Sequence, residues 1–195
     1  MKIAEADILF VPGRGNSGPG HWQRRWAERM STARVVEQES WTRPDKDAWV
    51  ETVQREIMMS TRPVVLVAHS LGVITIAHAA RGLADTKVRG AFLVATPDLE
   101  RKKGDPRSAV PVAPLARAVR SFAPVPRDPL PFRSMMVASA TDPYCVPESA
   151  ADLAACWGSD FHMAGDAGHI NEASGHGPWP EGLMMFTRLM QRLKA

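Results

Sequence analysis

Residues 64–80 read VVLVAHSLGVITIAHAA, and the hydrophobic pattern changes period in the middle. Val64–Ala68 is continuously apolar and rich in valine, as a strand covered on both faces should be. From Leu71 the apolar residues continue with helical spacing. A buried strand running straight into a helix is one half of a β-α-β unit, and such units close only into a parallel sheet with helices on both sides.

The rest of the chain repeats the alternation. Strand-like runs lie at Ala6–Val11, Arg34–Gln38, Val64–Ala68, Ala91–Ala95, Ser134–Ser139 and Asp160–Met163. Helical patterns lie at His21–Met30, Asp45–Met59, Leu71–Leu83, Glu148–Trp157 and from about Pro180 to Leu193. The expectation is one α/β domain over residues 1–195, with roughly six parallel strands and helices on both faces. Pro97–Pro131 breaks the pattern. It holds many of the 16 prolines and one short amphipathic piece, Ala113–Ser121. It reads as an irregular excursion above the sheet, too small for a domain of its own.

Several classes of function fall away. Lys2 is followed by Glu5 and Asp7, and the apolar run Ile8–Val11 stops at Pro12-Gly13, unlike a secretory leader. No run reaches the roughly 18 apolar residues of a membrane span. Two cysteines make neither a disulfide framework nor a metal site. A cytoplasmic protein that acts away from membranes is the simplest expectation. The formal charge of +3 is spread out, and its one basic cluster, Arg101-Lys102-Lys103, has no interleaved aromatics, so nucleic acid is not an expected partner.

In a parallel sheet, ligands bind beyond the carboxyl ends of the strands, and Ser70 stands at such an end. Its surroundings, Ala68-His69-Ser70-Leu71-Gly72, have the form small-x-Ser-x-small. A sharp turn from strand to helix needs small residues two before and two after the serine. It lifts the hydroxyl above the sheet and leaves the Leu71 N–H at the helix start, where negative charge is stabilised. A plain helix cap is the competing role for such a serine. A nucleophilic serine needs a base, and the base an orienting acid. Asp142 follows the strand in MMVASATDPYC, and His169 follows the strand in DFHMA, so both lie at carboxyl ends. His169 is favoured over His176, in SGHGPWP, because it directly follows a strand. Asp98, after another strand end, is the alternative acid, and Asp166 lies too near His169 in sequence to face its ring easily. Asp142-Pro143 also suits a simple turn. His69 should point away from the nucleophile, and His21 and His78 fall in helical pattern.

The segment FVPGRGNSGPGHW offers a rival. Gly13, Gly15 and Gly18 match the dinucleotide fingerprint G-x-G-x-x-G after a strand. Pro19 and Gly20, however, delay the helix to about His21, and Trp22 would crowd a pyrophosphate. A hydrolase uses the same loop for the second oxyanion N–H, here expected from the backbone of Arg14 opposite Leu71.

Together, VPGRGNSGPGHWQRRW, VVLVAHSLG, SATDPY and GHINEASGHGPWPEG resemble, over nearly the whole chain, the small serine hydrolases related to retinoblastoma-binding protein 9, within the α/β-hydrolase superfamily. The resemblance implies an α/β-hydrolase fold and a triad of Ser70, Asp142 and His169. It implies esterase or peptidase activity. The LxCxE pocket-protein motif of the namesake is absent from the sequence. The expected activity is cleavage of an ester, thioester or amide of a small acyl substrate through an acyl-enzyme, with no metal or organic cofactor. The alternatives are a catalytically weak interaction module on the same fold and, third, a dinucleotide-dependent oxidoreductase.

Overall fold

The computed structural model describes residues 1–101, 117 and 119–194. Six strands form one sheet: β1 (Asp7–Val11), β2 (Ala33–Val35), β3 (Val64–His69), β4 (Val88–Val94), β5 (Arg133–Ala138) and β6 (Asp160–Met163). All neighbours are parallel, in the order β2-β1-β3-β4-β5-β6. Between and after them run α1 (Trp22–Ala27), α2 (Lys46–Met59), α3 (Leu71–Ala79), α4 (Pro147–Trp157) and α5 (Pro180–Arg192).

Alternation along the buried strands divides the core into two layers. Leu9, Val11, Leu66, Ala68 and Leu93 point to one face, against Trp49, Val53 and Ile57 of α2, Val73 and Ile76 of α3, and Leu153 and Trp157 of α4. Ile8, Phe10, Val65, Val67, Phe92 and Val94 point to the other, against Trp22 and Trp26 of α1 and Phe186, Leu189 and Met190 of α5. Full burial of a side chain such as Phe186, which has no exposed surface, stabilises the fold by roughly 1.5–3 kcal/mol. The central strand β3 is buried at all six residues, in line with the unbroken apolar run Val64–Ala68 that precedes its last residue, His69.

The expected elements are present, with shifted ends. The strand expected at Arg34–Gln38 is three residues long. After Val35 the chain turns under α2, where Gln38 is buried and donates to the Trp49 carbonyl. The strand expected at Ala91–Ala95 begins earlier, at Val88. Exposed Arg89 and side-chain-less Gly90 broke the apolar run, and Leu193 packs where a Gly90 side chain would stand. The helix expected over Leu71–Leu83 ends at Ala79 and tightens into a 3₁₀ turn at Ala80–Gly82. Most of the Ala113–Ser121 piece, and most of the basic cluster, lie outside the described residues. At the end of that piece, Arg120–Phe122 makes one 3₁₀ turn that buries Phe122 on the α2 side.

Candidate active site

The sheet order sets β3 in the middle, and the strand-to-helix turn after it holds Ser70 at φ 55° and ψ −126°. This conformation is strained for a residue with a Cβ and is held by its surroundings. The Ser70 N–H donates to the Val94 carbonyl of β4, and the side chain makes no helix cap. At residue 72 a Cβ would overlap the carbonyl of Val11, so Gly72 lets α3 close onto the end of β1. Gly13 does the same for the glycine loop: a Cβ would stand 2.7 Å from the Ser70 Cβ and 3.2 Å from the Leu71 nitrogen.

The acid and the histidine arrive from β5 and β6. His169 Nδ1 lies 2.9 Å from each carboxylate oxygen of Asp142. Those oxygens only accept, so Nδ1 carries the proton, and Nε2, 2.9 Å from the Ser70 hydroxyl, is left to accept from it. Both side chains are nearly closed to solvent. Asp142 also accepts from the Tyr144 N–H at 2.9 Å, so it is a turn residue and the histidine's partner at once. The Tyr144 ring meets the His169 ring edge-on at 4.5 Å between centroids.

The rivals to these residues, Asp98, Asp166 and His176, do not enter this chain of contacts. Asp98 accepts from the Glu100 N–H, and Asp166 is exposed. His176 bonds the Ser174 hydroxyl, and its carbonyl accepts from the Trp22 N–H. Burial pushes the Cys145 thiol pKa up, so that thiol is a poor nucleophile.

The Leu71 and Arg14 backbone N–H groups have no acceptor among the described residues, and both residues line a cavity of about 350 Å³ together with Ser70 and His169. Arg14, Asn16 and His21 of the glycine loop and Asn171 and Glu172 after β6 make this cavity polar on one side. Pro97, Leu99, Val119 and Tyr144, beyond β4 and β5, make it apolar on the other.

Two histidines set aside on the sequence are close to the site. The His69 Nε2–H donates to the His169 carbonyl at 2.8 Å, so the turn that carries the serine also holds the backbone of the histidine loop. His21 lies beyond it, 4.8 Å from the His69 ring. It caps α1, accepting on Nδ1 from the Gln23 N–H. Burial, then neighbouring His169, lowers the pKa of both rings, that of His21 to about 4. The cue for His21 was Pro19-Gly20 directly before it, which marks a helix start, not a helix interior. Beneath the loop, Gln23 is fully buried. It accepts from the Ser17 hydroxyl and donates to the carbonyls of Val11 and Val67, joining the loop to β1 and β3. The Trp22 indole N–H donates to the carbonyl of Ile170, which follows His169 and has a positive φ of 46°.

Comparison with known proteins agrees with this architecture. A YdeN-like hydrolase from Pectobacterium atrosepticum is 27% identical, covering 97% of this chain and 93% of its own, with a TM-score of 0.81. The ydeN gene product of B. subtilis, 18% identical, shares the fold at a TM-score of 0.72 over 96% of this chain and 100% of its own. A thermophilic esterase from Thermogutta terrifontis, 19% identical, shares it at 0.63 over 96% and 89%. No curated protein matches the sequence at significance. The profile of the family described as serine hydrolase matches residues 8–188, from β1 into α5, and on that match the chain belongs to the serine hydrolase family.

Proposed function

We propose that the chain cleaves an ester, thioester or amide of a small acyl substrate through an acyl-enzyme on Ser70. The observation that carries this reading is the 2.9 Å contact of the Ser70 hydroxyl with a His169 ring whose other nitrogen is taken by Asp142. Ser70 Oγ attacks the carbonyl carbon as His169 Nε2 takes its proton. The oxyanion lies against the Leu71 and Arg14 N–H groups, which are free to receive it. His169 then gives the proton to the leaving alcohol, thiol or amine as the carbon–heteroatom bond breaks. Water, deprotonated by the same nitrogen, releases the acid and restores the serine. Asp142 fixes the tautomer and stabilises the imidazolium. No step calls on a metal or an organic cofactor. Within the family, the GHW element, SATDPY and His-x-Asn at His169–Asn171 are similar to those of the retinoblastoma-binding protein 9 group, and we place the chain beside it.

A fluorophosphonate probe tests the reading. Ser70 should be labelled in the native enzyme and not in Ser70→Ala, and the same substitution should abolish turnover of 4-nitrophenyl esters. Equal labelling of both proteins removes Ser70 from the role. Failure of the native protein to label or turn over favours an interaction module on a hydrolase fold.

A further inference from the structure

One residue lining the cavity carries a polar atom that the proposed chemistry leaves idle. His21 is only 5% exposed and lines the cavity beside Ser70 and His169. Its Nδ1 accepts from the Gln23 N–H, so in the neutral ring Nε2 carries the proton. Burial, then the charges of His169 and His176, lowers its pKa to about 4, so at neutral pH the ring is neither a cation nor a base. That Nε2–H is buried and has no partner among the described residues. Among the described residues that line the cavity, it is the sole buried side-chain atom in that state. With Nδ1 committed to the first turn of α1, Nε2 is the ring nitrogen left to meet a ligand. Native structures rarely leave a buried donor unmade, because it loses its hydration without a return. A ligand that completes it recovers that loss.

We propose that His21 is a substrate-binding residue whose Nε2–H donates to an oxygen of the substrate beyond the scissile carbonyl. The enzyme then takes acyl compounds with an ether, hydroxyl or second carbonyl oxygen near the reacting bond, that oxygen lying on the polar side with Asn171 and Glu172. Any purely hydrocarbon part lies against Leu99, Val119 and Tyr144. The proposal rests on the reading of Ser70 as the nucleophile.

Two matched ester pairs test it. One carries the oxygen in the acyl chain, 4-nitrophenyl butanoate against 4-nitrophenyl methoxyacetate. The other carries it in the leaving group, butyl acetate against 2-methoxyethyl acetate. Each kcat/KM is divided by the rate of hydroxide hydrolysis, which removes intrinsic reactivity. The native enzyme should favour the oxygen-bearing member of at least one pair by about tenfold. His21→Asn keeps an acceptor where Nδ1 caps the helix but has no N–H at the Nε2 position, so its melting temperature should hold and the preference should vanish. His21→Gln, with an N–H near that position, should keep much of the preference. Should the Asn variant not fold, the Gln variant set against His21→Leu makes the same comparison. Absence of a preference in the native enzyme, or its survival in His21→Asn or His21→Leu, overturns the proposal and leaves the donor to a buried water. Native protein that neither labels with fluorophosphonate nor hydrolyses any of the four esters overturns the Ser70 reading as well. Labelled, active enzyme without the preference overturns this proposal alone.

Discussion

Asp142 accepts from the His169 Nδ1–H and the Tyr144 N–H on one carboxylate, so one side chain makes both the contact proposed for an orienting acid and that of a turn residue. An amide at this position keeps an acceptor for the turn. It also presents an N–H to Nδ1 in place of the second carboxylate oxygen, which favours the tautomer with its proton on Nε2, and that nitrogen then cannot accept from Ser70. In a serine protease the equivalent change costs about ten-thousand-fold in turnover, on the order of 5.5 kcal/mol. Asp142→Asn should therefore lose at least a hundredfold in kcat on a 4-nitrophenyl ester. Asp98→Asn and Asp166→Asn should stay within a few-fold, with melting temperatures checking the fold. A crippled Asp98→Asn beside an active Asp142→Asn would reassign the acid. Ser70, Asp142 and His169 were legible as a set because each lies in the turn or loop beyond a strand's carboxyl end. His69, His21 and Tyr144 were not assigned roles. Their contacts join residues 100, 48 and 25 positions apart, respectively, or lie within a loop, and no periodicity within one element encodes such contacts.

The glycine loop between β1 and α1 shows how an element's sequence can be read correctly in composition and misleadingly in pattern. Gly13, Gly15 and Gly18 have dinucleotide spacing, yet Gly13 packs directly against the serine turn. Adding a Cβ at Gly13 forces the loop away from Ser70 and carries the Arg14 N–H with it. Loss of one oxyanion donor costs about 10²–10³ in kcat, and Gly13→Ala should fall in that range with KM little changed. Arg14→Ala keeps its backbone N–H and should lose at least tenfold less. Equal losses would mean that the Arg14 side chain, not its backbone, does the work. The strands and helices themselves were legible from burial on two faces. Their ends were not: β2 was overread because Val36, whose N–H still donates to the Phe10 carbonyl, and Gln38 stay buried past the end of the strand, and β4 was underread because Leu193 replaces a side chain at Gly90.

For the molecule as a whole, the buried histidines tie stability to pH. His21 has a folded pKa of about 4 against 6.5 in the unfolded chain, and His69 is shifted the same way. Between those values the unfolded chain binds a proton that the folded chain refuses. The stabilisation is complete above pH 6.5 and is lost as pH falls toward 4, about 3 kcal/mol from His21 alone. The melting temperature should fall by several degrees more between pH 7 and pH 4.5 in the native protein than in His21→Asn, and equal falls would remove His21 as the cause. The bond from the Trp22 indole to the Ile170 carbonyl spans 148 positions of sequence. The proposed base, His169, is thus delivered by the last part of the chain onto a loop laid down by the first. A chain lengthening from its amino end has its serine, and three of the sheet's strands, long before it has a histidine to activate that serine. Such a chain can gather its central layers and stay chemically silent until β6 pairs and residues 170–177 settle over α1. Hydrolysis therefore reports that both ends of the polypeptide have met, and newly made or half-unravelled copies expose an inert hydroxyl, not a loose nucleophile.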